Sequence, residues 1–271
     1  MLVSMAFVPN WAAAEVQAAK KAKGKRADRP AATTVEMFAA IESGELKVKL
    51  IPKDSTQATV LFTNNTDKPL NVKLPAAFAG LPVLAQFGGG GGNRGGGGGG
   101  FGGGGGGNQG VGGGFGGGGG GGGGGFGGGG RGRGGGGGFF NVAPGKAIKV
   151  KVPVVCLEHG KADPRPKIPY EIKPLEKVTD KPQVVELCAM LGSGEIDQRS
   201  AQVAAWHLQN EMSWEELANK EIRHLNGVRE PYFLADEVYR AVQIVQETER
   251  RAELRQPSAT SSYQSPGGPT Q

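Results

Sequence analysis

Long apolar runs, histidine and cysteine are all scarce in this chain. Nowhere does it hold the roughly 18 consecutive apolar residues that a membrane-spanning helix requires, so no such helix is expected. Three histidines and two cysteines among 271 residues leave little material for a metal cluster or a disulfide-stapled framework. No G-x-x-x-x-G-K-[ST] phosphate loop occurs. Gly192-Ser193-Gly194 reads as a turn between helices, since a nucleophile elbow needs G-x-S-x-G after a buried strand. Glu215-Glu216 and Asp236-Glu237 are sequence neighbours that diverge by about 100° on a helix, so neither forms a pair of facing carboxylates. A non-enzymatic protein with no cofactor and no metal site is the expectation.

Glycine, by contrast, is abundant: 51 residues, of which 41 lie between positions 88 and 138. The other ten positions of that tract are Asn93, Arg94, Phe101, Asn108, Gln109, Val111, Phe115, Phe126, Arg131 and Arg133. A glycine-X-Y period is missing, which excludes a collagen helix. With so few side chains the tract has little to bury, while ordering its backbone costs roughly 1–2 kcal/mol per residue. A disordered insert at 88–138 is expected, dispensable for folding and in contact with neither folded unit. Closing so long a loop costs only about 2 kcal/mol more than a four-residue turn. Its apolar flanks, Phe87 and Phe139, are expected to meet as the two ends of a hairpin.

The net charge of +6 divides unevenly. Lys20 to Arg29 contributes +5, the glycine tract +3 and Glu15 −1, which leaves −1 for everything able to fold. The basic balance therefore belongs to a basic arm (20–34) and the tract, and a nucleic-acid patch on a folded face is poorly supported. Ahead of the arm, residues 1–19 run Leu2-Val3-Ser4-Met5-Ala6-Phe7-Val8 and then Trp11-Ala12-Ala13-Ala14. This pattern is signal-like, with small residues placed for cleavage after Ala14 or Ala18. Residues 256–271, rich in Ser, Pro, Gly and Gln, read as a disordered tail.

Between these segments the periodicity changes twice. Leu46, Val48 and Leu50 alternate with lysines, and Ala58, Val60 and Phe62 share one face of a second strand. Asn64-Asn65-Thr66-Asp67-Lys68-Pro69 is a turn cluster, after which Leu70, Val72 and Leu74 are expected to close a hairpin. Ile148, Val150, Val152 and Val154 make a fourth alternating run. Short antiparallel strands with one apolar face need a covering sheet, so 35–178 reads as a small β-sandwich. From residue 179 to 255 the period turns helical, with Val184, Val185, Leu187, Cys188 and Leu191 on one stripe and a second helix over 195–212. Ser213 and Glu216 form a capping box, and Pro231 is expected to open a last helix whose Phe233, Leu234, Val238, Val242 and Val245 face inward. The predicted fold class is α+β: a β-sandwich followed by a helical unit.

Ala58-Thr-Val-Leu-Phe-Thr-Asn-Asn-Thr-Asp-Lys-Pro-Leu-Asn-Val-Lys-Leu74, with Ala143-Pro-Gly-Lys-Ala-Ile-Lys-Val-Lys-Val152, resembles the immunoglobulin-like β-sandwich modules of bacterial extracytoplasmic proteins. That resemblance implies a binding or scaffolding role. Cys156 and Cys188 are either a disulfide between sandwich and helices or two buried free thiols. Cys156-x2-His159 has zinc-ligand spacing, but Cys188 and His207 lack the matching half. Ala201-Gln202-Val203-Ala204-Ala205-Trp206 resembles the glutamine motif of bacterial surface thioester domains, which implies a covalent pair of Cys156 and Gln202. The leading expectation is an exported interaction or scaffold protein of the cell envelope, with an unknown protein or envelope partner. The alternatives are a cytoplasmic, nucleic-acid-associated protein acting through its basic arm and Gly/Arg tract, and a thioester-type covalent binder.

Overall fold

The computed structural model describes residues 32–83, 107–116 and 138–255. The signal-like segment, most of the basic arm, Phe87, Arg131, Arg133 and the C-terminal tail lie outside them. The chain enters through β1 (Thr33–Glu36) and a short helix α1 (Met37–Glu42), so the expected basic arm already ends in a strand at Thr33. Strands β2 (Leu46–Pro52) and β3 (Gln57–Asn64) then form the antiparallel pair that their alternation predicts, with Val48 opposite Phe62 and Leu50 opposite Val60. Lysines 47 and 49 point out while Leu46, Leu50, Val60 and Phe62 are buried.

The expected sandwich closes into a barrel instead. Strands β5 (Ala77–Pro82), β6 (Val111–Gly114), β8 (Ala147–Cys156) and β9 (Tyr170–Lys173) join β2 and β3 in the order β2-β3-β8-β6-β5-β9. A single pairing, Leu50 with Tyr170, shuts the ring between β2 and β9. Two further strands, β4 (Leu70–Lys73) and β7 (Phe139–Val142), form a separate sheet with β1 in the order β1-β4-β7. The β3–β4 hairpin is thus corrected: β4 runs parallel to β1 and antiparallel to β7. Asn64 turns the chain away. Its buried amide donates to the carbonyls of Lys68 and Val142, and its Oδ1 accepts from the Thr66 N–H and hydroxyl.

The largest correction falls on the glycine tract. Residues 111–114 are wholly buried and form the stave between β5 and β8, so the tract is structural at its centre. Phe139 does not close a hairpin tip; it sits in β7 opposite Lys73, 57% exposed. The reason is space. A Cβ on Gly112 would stand 2.8 Å from Cys188 Sγ, one on Gly113 2.7 Å from Phe78 Cζ, and one on Gly114 would collide with the Cys188 carbonyl oxygen. Only glycine lets this strand pass between the barrel lining and the helix laid across it.

That helix is α2 (Pro182–Ser193), ended by Gly194 in the left-handed region (φ 77°). It is followed by α3 (Gln198–Asn210), α4 (Trp214–Ala218) and α5 (Ala235–Arg255). The capping box of Ser213 and Glu216 forms as expected. Pro231 does not open α5; it ends a strand, β11 (Arg229–Pro231), paired with β10 (Glu221–Arg223). The buried stripe of α5 is Glu237, Ala241, Ile244, Val245, Thr248 and Ala252, and Leu234 is exposed ahead of the helix.

Two cores share the barrel wall. Phe62, Phe78, Val111, Phe115, Val152 and Val154 fill the interior together with Met37 of α1 and with Leu70 and Val142 of the β1-β4-β7 sheet. Ala77, Ala79, Val155 and Leu157 face outward and join Leu187, Cys188, Leu191, Ala204 and Val245 of the helices. At its C-terminal end, from Val154 to Cys156, β8 therefore buries both of its faces, as a strand sealed between two layers must. Lys149 and Lys151, nearer its start, stay exposed. No described helix is long and apolar enough to cross a membrane.

Candidate functional site

The junction of β8 with α3 contains the residues that the sequence singled out. Beyond Thr56, β3 can no longer pair with β8, and the last bond between them is Val154 N–H to the Thr56 carbonyl (2.9 Å). Helix α3 supplies what is missing. Gln198 Nε2 donates to the Val154 carbonyl at 3.0 Å, and one turn later Gln202 takes both main-chain groups of Cys156: Oε1 accepts from its N–H at 2.8 Å and Nε2 donates to its carbonyl at 3.0 Å. Two glutamines spaced i, i+4 thus stand in for a strand and satisfy a buried sheet edge.

Gln202 and Cys156 are neighbours, as the thioester resemblance implies, but the carboxamide engages the Cys156 main chain in the plane of the sheet. The thiol lies off that plane, with Sγ 3.9 Å from the Ser55 carbonyl. Both cysteines are free and buried. Strand parity puts Cys156 on the interior face with Val152 and Val154, whereas Cys188 belongs to the helix-facing core. The barrel wall between them is the physical reason that the disulfide reading is not what the structure contains. Burial pushes each thiol up to about 12, so both are protonated at neutral pH and poor nucleophiles.

The histidines are also apart. His207 Nδ1 lies 2.8 Å from the Met212 carbonyl, and its ring stacks on Trp214 at 3.9 Å. His224 pairs with Glu230 at 3.0 Å. Cys156, His159, Cys188 and His207 do not converge, and among the described residues no three His, Cys, Asp or Glu side chains gather as a metal set.

His159 instead helps to build a pedestal. Its ring meets Trp206 edge-on at 4.7 Å, and its Nε2 lies 2.9 Å from Lys220 Nζ. Lys220 Nζ sits 5.5 Å from the Trp206 ring and 5.2 Å from the Tyr232 ring. Across Tyr232, the Arg199 guanidinium lies 4.9 Å over Phe233 and is held by Glu237 at 3.1 Å. Burial, reinforced by the Lys220 charge, lowers the His159 pKa, and burial lowers that of Lys220. A neutral imidazole accepting from the lysine fits both directions.

On this pedestal stands the β10–β11 hairpin. The Tyr232 N–H donates to the Lys220 carbonyl at 2.7 Å and closes its base, and Arg229 pairs with Glu221 at 3.2 Å. Every residue from Glu221 to Pro231 is exposed. Leu225 at the tip is fully exposed, Val228 is 53% exposed and Ile222 is 36% exposed. Sequence reasoning missed this arm by assigning Pro231 to a helix. The available signal was Asn226-Gly227 between Ile222 and Val228, a turn pair with glycine in the left-handed region (φ 83°).

Compared with known protein families, with curated proteins and with solved structures, the chain matches none of them. Residues Lys20–Arg29, Arg131 and Arg133, on which the nucleic-acid alternative rests, lie outside the described residues.

Proposed function

We propose that the chain is a non-enzymatic interaction or scaffold protein of the cell envelope, exported by its signal-like start, and that the β10–β11 arm is its contact surface. One observation carries this reading: eleven consecutive residues, Glu221 to Pro231, are held in a regular hairpin with none of them buried. An isolated two-stranded hairpin is marginal in water, and this one is secured at its base by Lys220, Tyr232 and Trp206. The ordering cost of a binding loop is thereby met before any partner arrives. Covering the fully exposed Leu225 would contribute about 1.5–3 kcal/mol, and Val228 and Ile222, already partly covered, proportionally less.

The test has two arms. A photo-crosslinking residue at position 225, compared with one at the exposed Glu253 of α5, should give a discrete adduct in cells that is lost in I222D/V228D. Equal, diffuse labelling at both positions would remove the arm from the proposal. Fractionation of the C-terminally tagged chain checks the location, and full recovery from the cytosol with an intact N-terminus would refute export.

A further inference from the structure

The seat of β6 has the properties of a peptide-binding site. Its walls are β5 and β8, which hydrogen-bond an extended segment on both sides, the mode by which sheets capture strands. Its floor and roof select the occupant. Val111 and Phe115 turn into the barrel, where the Phe115 ring lies 4.6 Å from Phe78 and 5.9 Å from Phe62. Gly112 and Gly114 turn toward α2, where a Cβ would meet the Cys188 sulfur or carbonyl. The entrance reads polar groups: the Gln109 carbonyl accepts from the Tyr170 hydroxyl at 2.7 Å, its Nε2 donates to Asp163 at 2.9 Å, and the Gly110 N–H donates to Glu158 at 2.9 Å. The ligand so defined is Asn-Gln-Gly-Val-Gly-Gly-Gly-Phe.

Covalent connection does not dictate whose segment fills the seat. Before residue 107, the described chain stops at 83, and after residue 116 it resumes at 138, intervals of 23 and 21 residues. Each interval can span up to roughly 70 Å, against a radius of gyration of roughly 16 Å for a domain of about 180 residues. A strand from another molecule would make every contact just described, unchanged.

We propose that the β5–β8 seat binds the 108–115 segment of a second copy of this chain, so that copies exchange β6 and link barrel to barrel. Exchange of an identical element adds no new interface and forfeits none of the old one, which is why it is a low-cost route to assembly. The intramolecular segment competes at an effective concentration on the order of millimolar. Exchange therefore grows with protein concentration and is favoured when many copies fold together.

Position 111 faces Cys156 across the ladder. The main-chain groups of Cys156 point away from β6, to Gln202, so this is the narrow kind of antiparallel pair, close enough for a disulfide. Full-length V111C should close a 111–156 disulfide within one chain when oxidised with diamide, which takes up the two hydrogens. A V111C/C156S donor co-refolded with the wild-type acceptor can form that bond only between chains. The expected result is a donor–acceptor dimer, mapped by peptide mass to 111–156. It should rise at least tenfold between about 0.01 and about 1 mM protein and disappear when the donor also carries Gly114→Val. Closure within the V111C single variant but none between donor and acceptor at any concentration would overturn the exchange. Failure of V111C to close at all would overturn the seat itself.

Discussion

Strand β6 and the β10–β11 arm invert the usual relation between hydrophobicity and burial. Three of the four residues of β6 have no side chain, yet all four are buried. The arm carries Ile222, Leu225 and Val228, yet none of its eleven residues is buried. What distinguishes them is fit. Helix α2 crosses β5, β6 and β8 so closely that the gap left for the middle stave admits a bare backbone, whose N–H and C=O groups are then paired on both sides. The arm has a partner for its base alone. Burial in this protein follows the space that the surrounding elements leave, and apolar content comes second.

Breaking β6 gives the largest expected effect. Gly112→Val or Gly114→Val should destabilise the fold by about 3 kcal/mol or more, because overpacking against main chain and a fixed sulfur finds no free rotamer to relieve it. Leu225→Gln in the arm should stay within about 0.5 kcal/mol, as surface changes do. Urea unfolding of the variants side by side checks the contrast, and equal midpoints for Gly114→Val and wild type would remove β6 from the core.

The helix-to-barrel junction comes next. Gln202→Leu strands the N–H and carbonyl of Cys156 in a buried place, and each unsatisfied group costs about 1–3 kcal/mol. A loss of about 2–4 kcal/mol is expected by the same unfolding measurement. Intact mass of the wild-type chain should show two free thiols and an unmodified Gln202. A mass lowered by the loss of ammonia would instead restore the thioester reading.

Acid gives the smallest effect and tests the outer face of α5. Arg251 bridges Glu195 and Glu247 at 2.7 Å each. Hydrogen bonds from Arg251 and Ser193 lower the Glu195 pKa, and those from Arg250 and Arg251 bring Glu247 down to about 2. Both folded-state values lie below the unfolded ones, so their stabilisation is complete above the ordinary glutamate range and is lost as pH falls from there toward about 2. Glu186 works in the opposite sense: burial raises its pKa despite Arg255, so protonation relieves it as pH falls. The melting temperature should drop modestly between pH 6 and 3, and Arg251→Ala should flatten that drop. An unchanged slope in the variant would show that the network contributes nothing.

Legibility in the sequence tracked how local each determinant is. The β2 and β3 strands, the α2 stripe and the capping box at Ser213 depend on residues a few positions apart, and each appears where alternation or spacing placed it. The partner of β4 did not, because a long-range bond from Asn64 to the Val142 carbonyl turns the chain. The glycine tract taken whole has too few side chains to offset the ordering of its 51 positions, yet a described segment of ten residues, 107–116, contains an ordered strand. At the candidate site, the proximity of Cys156 and Gln202 was legible through a motif. The chemistry was not, since it depends on where β3 ends and which face of β8 each atom takes.

By itself, the sequence determined the α+β class, the positions of β2, β3, β4, β8, α2 and α3, and the presence of one segment almost without side chains. Periodicity, capping and turn chemistry act over a few residues, so they survive without a fold. Only the tertiary structure decided that the sheet closes, that glycines 112 to 114 are its tightest stave, that Gln198 and Gln202 complete its edge and that the arm stands free. Those outcomes depend on distances between elements far apart in the chain. No local pattern encodes how much room α2 leaves above the barrel, and that room is what makes glycine a core residue here.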